Sequence, residues 1–218
     1  MRMKDILIYG ASGFGKEVAC LIDKINLIES NWNILGFIDD DESKFGHEVS
    51  RYGKVVGNRK TLKEWPSPVA VVVAIGNPQI MKKVTEEITT YPQLSFPNII
   101  HPSFGMADEE TCHMGCGNII QRGCFFSCDV TIGDFNVFNG MVVLGHDVKI
   151  GSHNIVMPAV RVSGAVTMGT GNLLGVSSIV LQGIRIGNDV NLSAGSVLMK
   201  KPQDGMTYIG NPAKKFIF

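Results

Sequence analysis

The chain has 218 residues, 44% of them apolar and 18% charged, with 20 Lys plus Arg against 20 Asp plus Glu. That composition suits a packed globular protein; it excludes disorder and the concentrated positive charge that binding to nucleic acid or an anionic membrane requires. The charge is unevenly spread: residues 1–110 hold 27 of the 40 charged side chains and 9 of the 25 glycines, and residues 111–218 hold 13 and 16. Two building plans are joined in one chain, with a boundary expected near residue 102. No apolar run is long enough to span a bilayer. Met1-Arg2-Met3-Lys4-Asp5 does not open a signal peptide, and the five cysteines are an odd number, so a cytoplasmic, reducing setting is expected. Cys112, Cys116, Cys124 and Cys128 fall at C-x3-C spacing, unlike the C-x2-C of zinc knuckles. They read as small core fillers, and no metal is expected.

Ile6-Leu7-Ile8-Tyr9 predicts a buried strand, Gly10-Ala-Ser-Gly13-Phe-Gly15 a glycine turn, and Val18, Leu21, Ile22 and Ile25 a helix. Such a turn lets backbone approach an anion, and the helix N–H groups and dipole favour phosphate there. Ile34–Ile38 predicts a second strand ending in Asp39-Asp40, where carboxylates suit a ribose or a base. Val69–Ile75 predicts a third, ending in Gly76-Asn77-Pro78 before another helix. The glycine spacing is G-x-x-G-x-G, not the dinucleotide fingerprint, and the alternating pattern stops near residue 90. One βαβαβ half holds one nucleotide, so residues 1–102 are expected to be a Rossmann-like half-domain for a nucleotide-linked ligand, with Ser95–Pro102 as an extended connector.

From Met114, every sixth residue through Phe126, Phe138, Ile150, Val162, Leu174 and Ile186 to Leu198 is apolar, fifteen positions in all. A period of six is the hexapeptide repeat of a parallel β-helix. Glycines at 115, 133, 151, 169 and 187 and asparagines at 118, 136, 154 and 172 repeat every 18 residues, one triangular coil. They are expected at the bends, where positive φ is tolerated. Five coils stacked at strand spacing make a prism about 24 Å tall over residues 103–218. Its low charge and open faces suggest an oligomer. His146 lies two residues past inward Leu144 and directly before Asp147. It should stand outside the core, where an adjacent carboxylate would favour general-base chemistry. His113, His146 and His153 fall at different angular positions and do not make a zinc site.

Tyr9-Gly-Ala-Ser-Gly-Phe-Gly15, Phe37-Ile-Asp-Asp40, Ala74-Ile-Gly-Asn77, Gly145-His-Asp-Val-Lys-Ile-Gly151, Ala194-Gly-Ser196 and Gly210-Asn-Pro-Ala-Lys214 occur in the order seen in the NeuD/PglD-like sugar acetyltransferases. The whole chain resembles that family. The resemblance implies a left-handed β-helix in a homotrimer, acetyl-CoA as co-substrate in the groove between prisms, and transfer of acetyl to the amine of a UDP-linked amino-deoxy sugar. It makes His146 the base and Asp147 its acidic partner. Sugar-nucleotide contacts fall on Ser12, Gly13, Phe14, Asp39, Asp40, Gly76 and Asn139. Acetyl-CoA contacts fall on Ile155, Gly164, Val176 and Ala194. The family usually has a second histidine where this chain has Ile155. The alternatives are O-acetylation of a sialic-acid-like sugar, a non-catalytic β-helix assembly module and a zinc hydratase.

Overall fold

A computed structural model describes residues 3–217. The chain divides between Pro102 and Ser103 into two compact units.

The first unit is a five-stranded parallel sheet in the order β3-β2-β1-β4-β5. Its strands are β1 (Lys4–Tyr9), β2 (Trp32–Ile38), β3 (Val55–Gly57), β4 (Val69–Val73) and β5 (Leu94–Ser95). The helices are α1 (Gly13–Asn26), α2 (Arg59–Lys63) and α3 (Pro78–Ile88). All five residues of β4 are buried, as an interior parallel strand requires, and α1 buries Val18, Ala19, Leu21 and Ile22 along one stripe. Asn77 caps α3, its Oδ1 accepting the Ile80 N–H at 3.0 Å, with Pro78 in the first turn. β4 ends two residues sooner than its apolar run suggests. β3 and α2, which lie between the second and third predicted strands, carry no clear periodic signal. The chain leaves β1 for β2 on one side and for β4 on the other, so the carboxyl ends of these strands open onto the point where the winding reverses.

The second unit is a triangular parallel β-helix built mainly of two-residue strands in three sheets, one of them ending in an antiparallel pair of Thr207–Ile209 with Lys214–Lys215. Register follows the period of 18. Phe126 pairs with Leu144, which pairs in turn with Val162 and Val180. On the other sheets Ile132 pairs with Ile150, and Phe138 with Val156. From Ile120 to Leu198 the inward residue of each hexapeptide is buried, each such aliphatic side chain contributing about 1.5–3 kcal/mol, and Met114 in the first coil is half-buried. A second inward position, two residues earlier, makes three further columns. One is Val130, Val148 and Val166; another is Cys124, Val142, Val160, Ser178 and Ser196; the third is the asparagines.

Those asparagines are not bend residues. All four are fully buried, and each Oδ1 accepts from the backbone N–H one coil later. Asn154 Nδ2 donates to Asn136 Oδ1 and Gly169 O, both at 2.9 Å, and Asn172 repeats the pattern. The ladder ends with Asn172 Oδ1 on the Val190 N–H at 2.8 Å. The glycines at 115, 133, 151, 169 and 187 do not have positive φ either. A Cβ on Gly151 would lie 2.7 Å from Gly169 O, and one on Gly169 2.6 Å from Gly187 O; close stacking of coils is their reason.

Positive φ instead recurs every sixth residue from Gly117 to Gly195, on side chains as varied as Phe135, Met141, Asp147, His153 and Ala165. Each non-glycine residue there costs about 1–2 kcal/mol relative to ordinary backbone. The closed ladders on either side hold the corners in this shape: at one, the Asp147 N–H donates to Cys128 O and the Ala165 N–H to His146 O.

Candidate active site

Two places in the chain gather chemistry, one in each unit. The first is a cleft of about 440 Å³ at the carboxyl ends of β1, β2 and β4, lined by Tyr9, Gly10, Ser12, Asp39, Asp40, Lys44, Gly76, Asn77 and Ile80 among others. The glycines in and beside it serve different ends. A Cβ on Gly10 would strike Ala74 O, and one on Gly15 would strike Gly10 O, so these two allow the turn to close. Gly13 and Gly76 would meet nothing within 4 Å, and neither has positive φ. Ser12 occupies the N-cap of α1 without making a capping bond, and the first turn carries no acidic residue. Phe14 is half-buried in that turn and does not line the cleft.

The two carboxylates are engaged within the protein. Asp39 Oδ2 accepts from Ala11 N at 3.0 Å and Lys44 Nζ at 2.9 Å, and Oδ1 accepts from Asp41 N at 3.0 Å. Burial raises the Asp39 carboxyl, but the Lys44 hydrogen bond and the two backbone N–H groups outweigh it and hold the group below the usual carboxylate range. Asp40 Oδ2 accepts from Tyr9 Oη at 2.7 Å and faces Arg59 Nε at 2.8 Å, while Arg59 also pairs with Glu87 at 2.8 Å. Burial first, then the bond to Asp40, pushes the Tyr9 phenol far above its ordinary range, so it stays a donor. Lys44 and Arg59 escaped the sequence reading because they follow no periodic pattern. A second cavity of about 310 Å³, lined by Asp39, Glu42, Phe45, Gly57, Asn58 and Thr61, adjoins the first through Asp39.

In the second unit, His146 and Asp147 form the corner after the strand Val143–Leu144. Positive φ at Asp147 turns its carboxylate back, and Oδ2 lies 2.7 Å from His146 Nδ1. Both side chains are about half exposed. With Nδ1 committed to the carboxylate, the neutral ring carries its free lone pair on Nε2. The ring rests on Gly164, one coil on: a Cβ there would lie 2.4 Å from Nε2, 2.7 Å from Cε1 and 2.8 Å from Cδ2. Among the described residues the Gly164 N–H has no hydrogen-bond partner.

Of the remaining candidates, Asn139, Val176 and Ala194 stand together at a different corner of the prism. Asn139 is almost buried, with Nδ2 3.6 Å from Met157 Sδ, whereas Val176 and Ala194 are exposed. Ile155 is buried on the strand leading into that corner, paired with Val137 and Leu173. His153 sits at the third corner, stacked on Phe135 with ring centroids 5.6 Å apart, and does not take the place of a histidine at 155. One chain therefore unites His146, Asp147 and Gly164, and separates them from Asn139, Ile155, Val176 and Ala194.

Among the described residues no group of three or more His, Cys, Asp or Glu is arranged to hold a metal ion, and no helix is long and apolar enough to cross a membrane. Cys124 is buried and donates to Asn139 O at 3.0 Å; burial pushes its thiol up to about 11. Cys116 is exposed, so only part of the cysteine cluster fills the core.

Residues 5–88 match the family described as PglD N-terminal domain. No curated protein sequence matches the chain. Among solved structures, the acetyltransferase domain of PglB from Neisseria gonorrhoeae is 25% identical, with a TM-score of 0.87 over 98% of this chain and 100% of that one. PerB from Caulobacter crescentus, in complex with CoA and GDP-perosamine, is 26% identical, with a TM-score of 0.87 over 99% and 98%. WeeI from Acinetobacter baumannii shares the fold at 24% identity and a TM-score of 0.85, over 99% and 100%. Residues 5–88 thus carry the PglD N-terminal domain, and the whole chain is similar in fold to the PglB acetyltransferase domain and to PerB.

Proposed function

We propose that the protein transfers acetyl from acetyl-CoA to the amine of a nucleotide-linked amino sugar. One observation carries the reading: a histidine whose Nδ1 is held at 2.7 Å by Asp147 while Nε2 stays open over a bare Gly164. It stands on a fold shared with PerB, whose structure holds CoA and GDP-perosamine.

The residues present fit both substrates. His146 Nε2 takes a proton from the sugar amine as its nitrogen bonds to the thioester carbonyl carbon, and Asp147 stabilises the imidazolium that forms. The unpartnered Gly164 N–H, beside the ring, supplies a donor to the negative charge developing on the carbonyl oxygen. The carbon–sulfur bond then breaks, and the imidazolium returns the proton to the departing sulfur. In the first unit, the α1 N-terminus and the open space over Gly13 and Gly76 receive the nucleotide part. His146 and the group Asn139, Val176 and Ala194 stand at different corners of one prism. A site that uses both sets takes them from neighbouring copies, which supports a homotrimer.

A thiol-release assay with acetyl-CoA and a panel of UDP-, GDP- and dTDP-linked amino sugars tests this. One member of the panel is expected to release CoA stoichiometrically with N-acetylated sugar, and His146→Ala to lower the rate by about 10²–10⁴. Turnover that survives unchanged in His146→Ala sinks the assignment.

A further inference from the structure

The cleft of the first unit is an odd place for an anionic ligand, because Asp39 and Asp40 both line it. Asp40 is matched by Arg59, which is not itself a lining residue. Asp39 is already held by two backbone N–H groups, one on each oxygen. Lys44 is therefore a third donor on a carboxylate that keeps two backbone N–H partners when the ammonium turns to a ligand. Its Nζ lies 2.9 Å from Asp39 Oδ2 and 3.9 Å from Asp41, and its side chain is 36% exposed against 12% for Asp39. It is the one cationic side chain among the described residues lining the cleft.

The same cleft has room that the protein does not use. Gly76, which lines it, and Gly13, next in the chain to the lining Ser12, have ordinary backbone angles and open space where a Cβ would be, so nothing within the chain requires glycine at either position. That bareness is an observation independent of the helix end, and it points to a ligand pressed against backbone.

Resting on the nucleotide-sugar reading, the geometry points to Lys44 as the residue that binds the diphosphate. The ammonium bridges Asp39 and the phosphate oxygens, relieving the repulsion the carboxylate would otherwise exert on the ligand. The nucleoside then has the adjoining cavity beyond Asp39, walled by Glu42, Phe45 and Asn58. Asp39 thus acts as a positioning residue that ties the end of β2 to the glycine turn and aims Lys44.

Calorimetry on the full chain with UDP, GDP and dTDP tests this at several salt concentrations, comparing wild type, Lys44→Gln and Lys44→Arg. Lys44→Gln is expected to weaken binding of whichever diphosphate wild type takes by about tenfold or more, the size of a charge-assisted hydrogen bond. The salt dependence of Kd should flatten at the same time, because an exposed charge pair has been removed. Lys44→Arg should restore most of the affinity. Affinity within twofold of wild type in Lys44→Gln overturns the proposal, as does a loss that leaves the salt dependence unchanged or that arginine fails to repair. If wild type itself binds none of UDP, GDP and dTDP, the nucleotide-sugar reading falls first and takes this proposal with it.

Discussion

Gly164→Ala separates catalysis from stability in a way few substitutions in this chain would. The added Cβ would sit 2.4 Å from His146 Nε2 and within 2.8 Å of two further ring atoms. Ordinary carbon contacts begin about 3.5 Å apart, so the ring must retreat by roughly 1 Å. It is half exposed and can swing toward solvent, which breaks the 2.7 Å contact between Nδ1 and Asp147. A misplaced base forfeits much of the 10²–10⁴ that general-base catalysis supplies, so kcat should fall by about 10² or more. The fold should not suffer. Gly164 lacks positive φ, and alanine at a compatible glycine position stabilises by about 0.4–1 kcal/mol through the unfolded chain. The assay pairs thiol release with thermal unfolding, in wild type and in a His146→Ala background. Tm should hold or rise while kcat collapses, and the substitution should do nothing further once the ring is gone. Retention of wild-type kcat, or an equal additional loss without His146, would refute the steric argument.

Two further outcomes are expected. Asn154→Ala leaves the buried Asn172 N–H without its acceptor and opens space in the ladder, at a cost of about 2–4 kcal/mol in chemical denaturation; a loss under 0.5 kcal/mol would contradict the ladder's role. The Asp39 carboxyl lies below its unfolded value, so its contribution to stability is complete above the unfolded pKa and is lost as pH falls through the folded one. The stability difference between wild type and Asp39→Asn should therefore begin to shrink below about pH 4, where the unfolded carboxyl protonates, and close once pH has fallen past the folded pKa. In a Lys44→Gln background the gap should be smaller and close at a higher pH, and a gap that persists unchanged in acid would speak against the assignment.

What could be read from the sequence was whatever repeats locally. The period of six announced the β-helix because every inward residue obeys it, and His146 beside Asp147 could be recognised because the two partners are adjacent. Contacts between residues one coil apart were not legible. Gly164 is glycine because of a ring 18 residues earlier, and its role in seating the base appears only when coils stack. The corner residues were hidden for another reason: positive φ falls on phenylalanine, methionine and alanine as readily as on glycine, since the ladders on both sides enforce it. In the first unit the glycine turn was plain, but Arg59 reaches Asp40 across 19 residues with no motif to mark it.

The asparagine ladder also settles an ambiguity that the apolar residues leave open. A code with an apolar residue at every sixth position is threefold degenerate: slipping the chain by six residues places each inward aliphatic on the next face, where another aliphatic already fits. Asparagine repeats only every 18, so such a slip would set Asn136 or Asn154 against valines, with buried amides and no acceptor to meet them. Burial supplies most of the stability and the amides supply the address, much as a buried asparagine fixes register in a coiled coil. The address is what places Gly164, and no other residue, beneath the imidazole of His146.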